Sequence, residues 1–372
     1  MNNSVRDHLA VIYHAAVNSV KPSALISKFL DKDSISGYKK IYVAGAGKAV
    51  AAMAVETEKI LGNIITDGFI AVKYGHSLPL KYIRQLEAAH PLPDENSVKA
   101  AGEMISLFQK ATPDDLIIFL LSGGASSLLT DVPPGYTLDQ LNATFKDLIN
   151  GGADIYEINT ARKKFSDIKG GKLVKHAKGA TILSLIISDV MGGDISVIGS
   201  GPTAVNDPSV KNYIIGDNKT ALEAAAEMAT QLGYSVKVFN DFLQGDAEEC
   251  AGKWVQQIIS GWTKKCCYIA GGETTVNVKG TGLGGRNQHF ALAAAALLKD
   301  QHGLSLLAAG TDGTDGPTDA TGAFADDTTW NEQATSYLEN NDSYNFFKKF
   351  GELFVTGPTQ TNVMDVLIAV SE

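Results

Sequence analysis

The sequence predicts an α/β fold with mainly parallel sheets, arranged as two domains. Apolar runs rich in β-branched residues alternate with stretches whose apolar residues have helical spacing, which is typical of strand and helix in alternation. The chain has 372 residues. Because a domain usually holds about 150 residues, this length is enough for two domains with separate cores.

The predicted elements follow one another along most of the chain. Strands are predicted at residues 40–44, 68–72, 116–121, 181–188, 235–239, 267–270, 304–309 and 363–370. Helices are predicted at residues 50–61, 97–109, 138–149, 218–232, 247–260, 287–298 and 328–339. Together they exceed what one ordinary domain contains.

The domain boundary is predicted between Ser260 and Lys265, where SGWTKKC ends a long helix and precedes a new strand. The expected domains are residues 1–262 and 263–372. A second possible domain boundary lies at residues 201–211, where the stretch GPTAVNDPSVK is rich in Gly, Pro, Asn and Asp, as loops are.

Composition excludes several classes of protein. With 44% hydrophobic and 20% charged residues, the chain has a globular profile. Its net charge of −9 argues against a nucleic-acid partner, although clustered cations would still suit a small anionic substrate. No apolar run reaches membrane-spanning length, and no signal peptide is evident. The three cysteines lack metal or disulfide spacing, so we expect a cytoplasmic protein.

Glycines cluster at the ends of the predicted strands, where open α/β sheets bind ligands. The motif GAGKA, which contains Gly45, Gly47 and Lys48, follows a predicted strand and precedes a predicted helix. This arrangement favours the binding of an anion at the helix N-terminus. Walker A spacing is absent, and Val50 replaces the third glycine of the dinucleotide fingerprint. A solvated lysine is the alternative for Lys48.

The loop SGGASS has the same placement after an apolar strand. Ser122, Gly123 and Gly124 form a turn with outward N–H groups, and Ser126 could cap the next helix. Simple helix capping is the alternative interpretation. A nucleophilic serine is disfavoured because the GxSxG spacing is missing.

Cationic residues gather in two further segments. Six of them lie within residues 159–176, and Lys169, next to two glycines, is the one expected near a phosphate. A solvated basic helix face would also explain this segment. In GTGLGGRNQ, Arg286 and Asn287 begin a predicted helix, where a guanidinium can hold a carboxylate or phosphate bidentately.

Acidic residues also follow strands. Asp189 and Asp312 each end an apolar run, and Asp315 and Asp319 lie in the same loop as Asp312. Carboxylates here could bind magnesium or accept a proton from a hydroxyl group, although Asp-Gly pairs are common in plain turns. His90, flanked by prolines in AAHPLPDENS, favours a rigid turn over a site role.

The motifs GAGKA, HPLPDE, SGGASSLL, KGGK, SDVMGGD, GSGPT, GGETTV, GLGGRNQ and GTDGTDGPTDATGA occur in this order from about Ile41 onward. This set resembles the class II glycerate kinases, the glycerate 2-kinase family with a C-terminal MOFRL domain. The resemblance implies a larger Rossmann-like N-terminal domain, a smaller α/β MOFRL domain and an active site in the interdomain cleft. It also implies ATP and Mg²⁺ as cofactors and D-glycerate as the substrate, with 2-phosphoglycerate as the product.

The resemblance also implies roles for individual residues. Lys48 and Arg286 match catalytic and substrate-holding cations, and residues 122–126 match a phosphate-side loop. Asp189 and the turn containing Gly201 and Thr203 match nucleotide and metal positions. The stretch NTARKKFS departs from the VRKHLS-like sequence that is more usual in the family, so the role of Arg162 stays open. We hypothesise that Arg286 holds the glycerate carboxylate, Lys48 stabilises the phosphoryl group, and Asp189 or Asp312 binds magnesium.

Three alternatives remain at this stage. The first is a nicotinamide-dependent hydroxypyruvate reductase, against which the absence of the dinucleotide fingerprint argues. The second is a glycerate kinase that forms 3-phosphoglycerate, which differs only in which substrate hydroxyl attacks the phosphate. A sensor of nucleotides or sugar phosphates would keep the anion loops without catalysis. We expect a homodimer with no nucleic-acid or membrane partner.

Overall fold

A computed structural model describes residues 1, 3–151, 155–351 and 353–372. Its strands are β1 (Ile41–Ala46), β2 (Ile65–Lys73), β3 (Arg84–Ala88), β4 (Leu116–Ser122), β5 (Thr181–Ile187), β6 (Val210–Gly216), β7 (Ser235–Val238), β8 (Leu243–Asp246), β9 (Cys266–Thr275), β10 (Leu304–Gly310), β11 (Gly322–Ala325), β12 (Leu353–Phe354) and β13 (Asp365–Ser371). The eight predicted strands are all present.

The α-helices are α1 (Asn3–Ser19), α2 (Pro22–Leu25), α3 (Val50–Leu61), α4 (Glu95–Phe108), α5 (Ala125–Leu128), α6 (Leu138–Asn150), α7 (Ile155–Lys164), α8 (Asn218–Gln231), α9 (Ala247–Ser260), α10 (Arg286–Leu298), α11 (Ala334–Glu339) and α12 (Ser343–Phe350). The helix predicted at residues 328–339 is shorter than expected. Its first part is a turn in which the Asp326 carboxylate accepts the Thr328 N–H, and α11 begins only at Ala334.

The chain forms two compact units. One contains residues 22–217 and 360–362, and the other contains residues 1–21, 218–359 and 363–372. This division differs from the predicted boundary at residues 262/263, which lies inside the second unit in the loop before β9. The reason is pairing and packing: β7 pairs with β9, and α1 packs on α8, so residues 218–262 share a sheet and core with the C-terminal part.

The unit of residues 22–217 is built on a six-stranded sheet in which every pairing is parallel. Its strand order is β3-β2-β1-β4-β5-β6, the doubly wound order of nucleotide-binding folds. The central strands β1 and β4 are buried along their whole length, as their continuous apolar sequences predict. In this topology the strand order reverses at β1 and β4, so ligands are expected at the carboxyl ends of these two strands.

The other unit has a mixed sheet of order β12-β11-β10-β13-β9-β7, with β8 also paired to β9. Its β10, β11, β12 and β13 pairings are antiparallel, and only β7 and β8 run parallel to β9. The expectation of mainly parallel sheets is therefore wrong for this unit. A hairpin-like antiparallel pair needs no crossover helix, and β11 follows β10 without one.

The sequence analysis missed several elements, which are the strands β3, β6, β8, β11 and β12 and the helices α1, α2, α5, α7 and α12. Strand β3, with the sequence RQLEA, is only partly buried and lies at a sheet edge, so it lacks the apolar pattern of a central strand. Helix α1 buries Leu9, Ile12, Tyr13 and Ala16, which have helical spacing. Within the described residues, no helix is long and apolar enough to cross a membrane.

Candidate active site

The loops after β1 and β4 meet at the reversal point of the parallel sheet. The Lys48 N–H donates to the Gly123 carbonyl at 2.9 Å, and the Ala49 N–H donates to the Ser122 Oγ at 3.0 Å. Gly47 has a φ of +139°, and a Cβ at this position would collide with the Ser122 side chain. Glycine is required at Gly47 because the two loops approach each other this closely.

A cation, an imidazole and a carboxylate surround the Gly123–Gly124 turn. A Cβ added at Gly124 would lie 3.2 Å from the Lys48 Cγ and 3.0 Å from the His90 Cδ2. A Cβ added at Gly123 would collide with the carboxylate of Asp189. The structure therefore brings the predicted residues Lys48, Gly123, Gly124 and Asp189 together, and it adds His90.

Positive charge is concentrated around His90. Burial, followed by the charges of Lys48, Lys73 and Arg162, lowers the pKa of His90 to about 4, so its ring is neutral at physiological pH. Within the described part of the chain, none of these three cations forms an ion pair with a carboxylate. Burial also lowers the pKa of the Arg162 guanidinium, which lies 5.5 Å above the Phe145 ring. Such a group of unpaired cations suits an anionic ligand.

Several other predicted residues serve the framework of this unit. Gly45 lies inside β1, where a Cβ would be 2.5 Å from the Leu120 carbonyl oxygen. The Ser126 Oγ is 2.8 Å from the Ser200 Oγ. Thr203 is buried and donates its hydroxyl proton to the Asn212 side chain at 2.8 Å.

The segments that contain Gly201 and Lys169 are joined by backbone hydrogen bonds. Gly201 has a φ of +62° and its carbonyl accepts the Gly171 N–H at 2.7 Å. Lys169 is buried, and its ammonium donates to the Leu129 carbonyl at 2.8 Å. Burial lowers the pKa of Lys169 to about 8. This ammonium thus binds the protein's own backbone.

In the second unit, Arg286 begins helix α10 and is held by two carboxylates. Its Nε and Nη2 atoms donate to Asp365 at 2.7 and 2.9 Å, and its Nη1 lies 2.8 Å from Glu273. Burial would lower the pKa of Arg286, but the charges of Asp365 and Glu273 outweigh it and raise the pKa. Asp365 is only 2% exposed, whereas the Glu273 side chain is 48% exposed.

The start of α10 is capped by Asp315. Its carboxylate accepts the backbone N–H of Asn287 at 3.0 Å and that of Gln288 at 2.8 Å. The Asn287 side chain also donates to Asp365 at 3.0 Å. Burial raises the pKa of Asp315 to about 6, and burial also raises the pKa of Asp365. Asn287, predicted as a ligand-binding residue, thus joins two buried carboxylates.

Asp315→Asn is expected to make the free energy of unfolding less dependent on pH. Because the pKa of Asp315 rises from 3.8 to about 6 on folding, the folded state binds this proton more tightly than the unfolded chain. Stability therefore falls as pH rises from about 4 to 7, by up to about 3 kcal/mol. Denaturant titrations of both proteins at several pH values measure the slope, and equal slopes would contradict the assignment.

The two carboxylates predicted to bind metal have different surroundings. The Oδ1 of Asp312 accepts the Thr314 N–H and hydroxyl, each at 3.1 Å. Asp189 lies against Gly123. Among residues 1, 3–151, 155–351 and 353–372, no group of three or more His, Cys, Asp or Glu side chains is arranged to hold a metal ion.

Sequence reasoning assigned no role to Lys73 or Asp365, favoured a rigid turn for His90 and left the role of Arg162 open. Two of them, Asp365 and His90, have a signal that was available. Asp365 is the lone charge in the apolar run NVMDVLIAV, and His90 follows β3 at the same sheet edge as the glycine loops. Because β3 was not predicted, the position of His90 at this sheet edge was not recognised from the sequence.

Two family models match the chain. The model described as "Domain of unknown function (DUF4147)" matches residues 8–232, and the MOFRL family model matches residues 266–365. The first covers more than half of the chain. The second begins at the first residue of β9.

Curated proteins with similar sequences match over nearly their whole length. The chain is 34% identical to a D-glycerate 2-kinase of Thermotoga maritima, covering 96% of both proteins. It is 35% identical to a glycerate 2-kinase of Pyrococcus horikoshii, covering 96% of this chain and 93% of that protein. It is 36% identical to a putative hydroxypyruvate reductase of Agrobacterium vitis, covering 98% and 94%.

Solved structures with similar folds match as completely. A crystal structure of glycerate kinase from Thermotoga maritima gives a TM-score of 0.90 at 34% identity, covering 99% of this chain and 100% of that one. A structure from Pyrococcus horikoshii gives a TM-score of 0.82 at 33% identity, covering 99% and 98%.

Proposed function

Because the chain belongs to the glycerate kinase family, we propose that it phosphorylates D-glycerate to 2-phosphoglycerate with ATP as the phosphate donor. One observation supports this most directly: Lys48 and His90 lie beside the Gly123–Gly124 turn at the reversal point of the parallel sheet, and the charges of Lys48, Lys73 and Arg162, which have no carboxylate partners in the described residues, act on His90. Phosphoryl transfer depends on positioning and charge stabilisation, and such a group supplies both.

The residues around this turn have complementary roles in the proposal. The Lys48 ammonium stabilises the charge that develops on the transferring phosphoryl group. Asp189 accepts the proton of the 2-hydroxyl as its oxygen forms the new bond to phosphorus and the bond to the leaving ADP oxygen breaks. Arg162 and Lys73 increase the local affinity for anions. His90 is neutral, so it can donate one hydrogen bond without adding charge.

Arg286 is proposed to hold the substrate carboxylate, as its position in the sequence suggests. Its Nε and Nη2 atoms are fixed by the buried Asp365, and its Nη1 is paired with the half-exposed Glu273. A substrate carboxylate would therefore replace Glu273 on Nη1 while Asp365 keeps the guanidinium oriented. Asn287 supports the same geometry through Asp365.

Magnesium is proposed to enter with the nucleotide. Mg²⁺ at phosphate sites is commonly held by one or two carboxylates, substrate phosphates and water, so the described donor set fits an ion brought by ATP. Asp189 or Asp312 is proposed to contact it, and Asp189 serves as the base where Asp312 holds the ion. When bound, the ion would offset charge on the phosphate oxygens. The Ser122–Ser126 loop, Gly45, Gly47, Gly201 and Thr203 are proposed to shape or support the phosphate side.

A hydroxypyruvate reductase is the less favoured function. The six-stranded order is shared with dinucleotide-binding folds, but GAGKAV places Val50 where the third glycine would allow close packing of helix and strand. The Val50 side chain is buried at the start of α3. Cytoplasmic location and a homodimer stay predictions.

The test is an assay that reports the position of phosphorylation. D-glycerate, ATP and Mg²⁺ are mixed with enolase, pyruvate kinase, lactate dehydrogenase and NADH, without phosphoglycerate mutase or added phosphoenolpyruvate. We expect NADH loss that requires enolase, because only 2-phosphoglycerate enters this sequence of reactions. Activity that appears only after adding mutase would mean that the 3-hydroxyl is attacked. No ADP formation under either condition would contradict the kinase assignment.

A further inference from the structure

The unit with the mixed sheet contains a cavity of about 490 Å³ beside Arg286. Its walls come from the end of β9 and the segment after it, the start of α10, and the loops at residues 316–317 and 341–343. All of these segments belong to this one compact unit. The cavity has the size of a small-molecule site, and among its lining residues only Arg286 has a role in the proposed reaction.

The wall before α10 is a glycine-rich loop that the start of α12 holds in place. The Leu283 N–H donates to the Asp342 Oδ1 at 2.8 Å, and the Leu283 carbonyl accepts the Tyr344 N–H at 2.9 Å. A Cβ added at Gly284 would lie only 2.3 Å from the Ser343 Oγ, so the two segments are in close contact. This wall is therefore formed before any ligand binds.

The charge in the cavity is limited to one cation. The N–H groups at the start of α10, which could otherwise bind an anion, are already taken, because Asp315 accepts those of Asn287 and Gln288 at 3.0 and 2.8 Å. Arg286 is the only lysine or arginine in the lining, and its Nη1 lies 2.8 Å from the half-exposed Glu273. One guanidinium suits a ligand with a single carboxylate.

His289, one turn after Arg286, contributes a buried hydrogen-bond acceptor. It is 3% exposed, and its Nε2 lies 3.0 Å from the Glu248 Oε1. Because a carboxylate only accepts, this contact places a proton on Nε2 and leaves the Nδ1 of the neutral ring as an acceptor. Nδ1 has no hydrogen-bond partner among the residues that the structure describes. Since His289 lines the cavity, Nδ1 is the ring nitrogen left for a ligand.

A second polar atom of the same kind belongs to this lining. In the described part of the chain, six buried side-chain atoms lack a hydrogen-bond partner, and two of them are the His289 Nδ1 and the Ser343 Oγ. Buried polar atoms in native proteins nearly always have partners, so two exceptions in one cavity point to a ligand. Arg286 and His289 are three residues apart on α10 and are therefore neighbours on one helix face.

We propose that His289 is a specificity-determining residue for a small hydroxy acid bound in this cavity. Arg286 holds the carboxylate through Nη1, and the His289 Nδ1 accepts a hydrogen bond from a hydroxyl group of the same molecule. The inference rests on the proposed function for the identity of the acid: where the 2-hydroxyl of D-glycerate is phosphorylated, the 3-hydroxyl is the group that His289 recognises. A three-carbon acid is smaller than the cavity and occupies only the end beside these two side chains.

Calorimetry with D-glycerate and with D-lactate, which lacks the 3-hydroxyl, tests this role without a nucleotide. We expect the wild type to bind D-glycerate at least about tenfold more tightly, because D-lactate leaves the buried acceptor unpaired. His289→Gln can keep the contact with Glu248 through its amide but has no acceptor at the place of Nδ1, so the preference should disappear. His289→Asn places an amide oxygen near that position and should restore part of the preference.

His302→Gln is the matched control, because the His302 side chain is 89% exposed and also pairs with a carboxylate, that of Asp327. Its preference for D-glycerate should equal that of the wild type. A preference that survives in folded His289→Gln, or a wild type that binds both acids equally or neither, overturns the role of His289 and leaves the kinase assignment to the enolase-coupled assay. A wild type whose preference depends on His289, yet which forms no 2-phosphoglycerate, supports this role and refutes the proposed function.

Discussion

Lys48→Ala is expected to lower kcat for D-glycerate phosphorylation about a hundredfold, which corresponds to about 3 kcal/mol of transition-state stabilisation. The ammonium belongs to the loop that packs on the Gly123–Gly124 turn, where charge on a phosphoryl group would develop. Because Lys48 has no carboxylate partner among the described residues, its removal leaves no buried charge unpaired. Stability should therefore stay close to that of the wild type, and the loss should be one of activity.

Lys59→Ala is the matched control for this experiment. Lys59 lies on α3, the helix that follows the Lys48 loop, and its side chain is 64% exposed in an ion pair with Glu56. Its removal should leave kcat within about twofold, because exposed ion pairs contribute little. Lys48→Arg should recover part of the lost activity by restoring the charge. A kcat within about threefold of the wild type in Lys48→Ala would remove this residue from the mechanism.

Much of the fold could be predicted from local sequence because the central strands have simple patterns. Strands β1 and β4 are continuous apolar runs followed by glycines, so both their existence and their loops were predictable. Edge strands such as β3 and β6 are only partly buried and lack that pattern. Without β3 and β6, the order β3-β2-β1-β4-β5-β6 could not be assembled from the sequence, and the reversal point was not located.

How the chain divides into compact units depends on more than local composition. Which sheet a strand joins depends on contacts between distant segments. The loop before β9 has the composition of a linker, yet β7 on one side of it pairs with β9 on the other. Helix α1 likewise packs on α8, about 200 residues later in the chain. Neither relation leaves a signal in the local composition.

Candidate residues of the site could be chosen from the sequence where they follow a glycine loop, but their partners on distant strands could not. Lys48, Gly124 and Asp189 were chosen from three separate loops, and the structure brings them to one turn. Arg286 was predicted to hold a ligand carboxylate or phosphate, and in the structure its orientation is set by Asp365, which lies 79 residues later. A sequence motif contains the cation but not the carboxylate that the fold places beside it.

Arg286→Met is the substitution with the largest expected effect on stability, because Arg286 is the main partner of the buried Asp365 carboxylate. Asp365 is 2% exposed and receives two hydrogen bonds from the guanidinium, so removing Arg286 leaves a buried charge without its main partner. The free energy of unfolding should fall by about 3–5 kcal/mol. Denaturant unfolding, with hydrogen exchange of the β10 and β13 amides, measures the change in this unit. Lys253→Met, which breaks the exposed pair with Glu249 on α9, should cost about 1 kcal/mol or less.

A double-mutant cycle distinguishes an unpaired charge from general loss of packing. If the cost of Arg286→Met arises from the Asp365 carboxylate, then Asp365→Asn in the same chain should recover a large part of it. The cost should also shrink as pH falls, because burial raises the pKa of Asp365 and the orphaned carboxyl group can take a proton. Additive losses that do not change with pH would mean that Arg286 stabilises the protein through the contacts of its aliphatic stem, and that Asp365 is not what orients it.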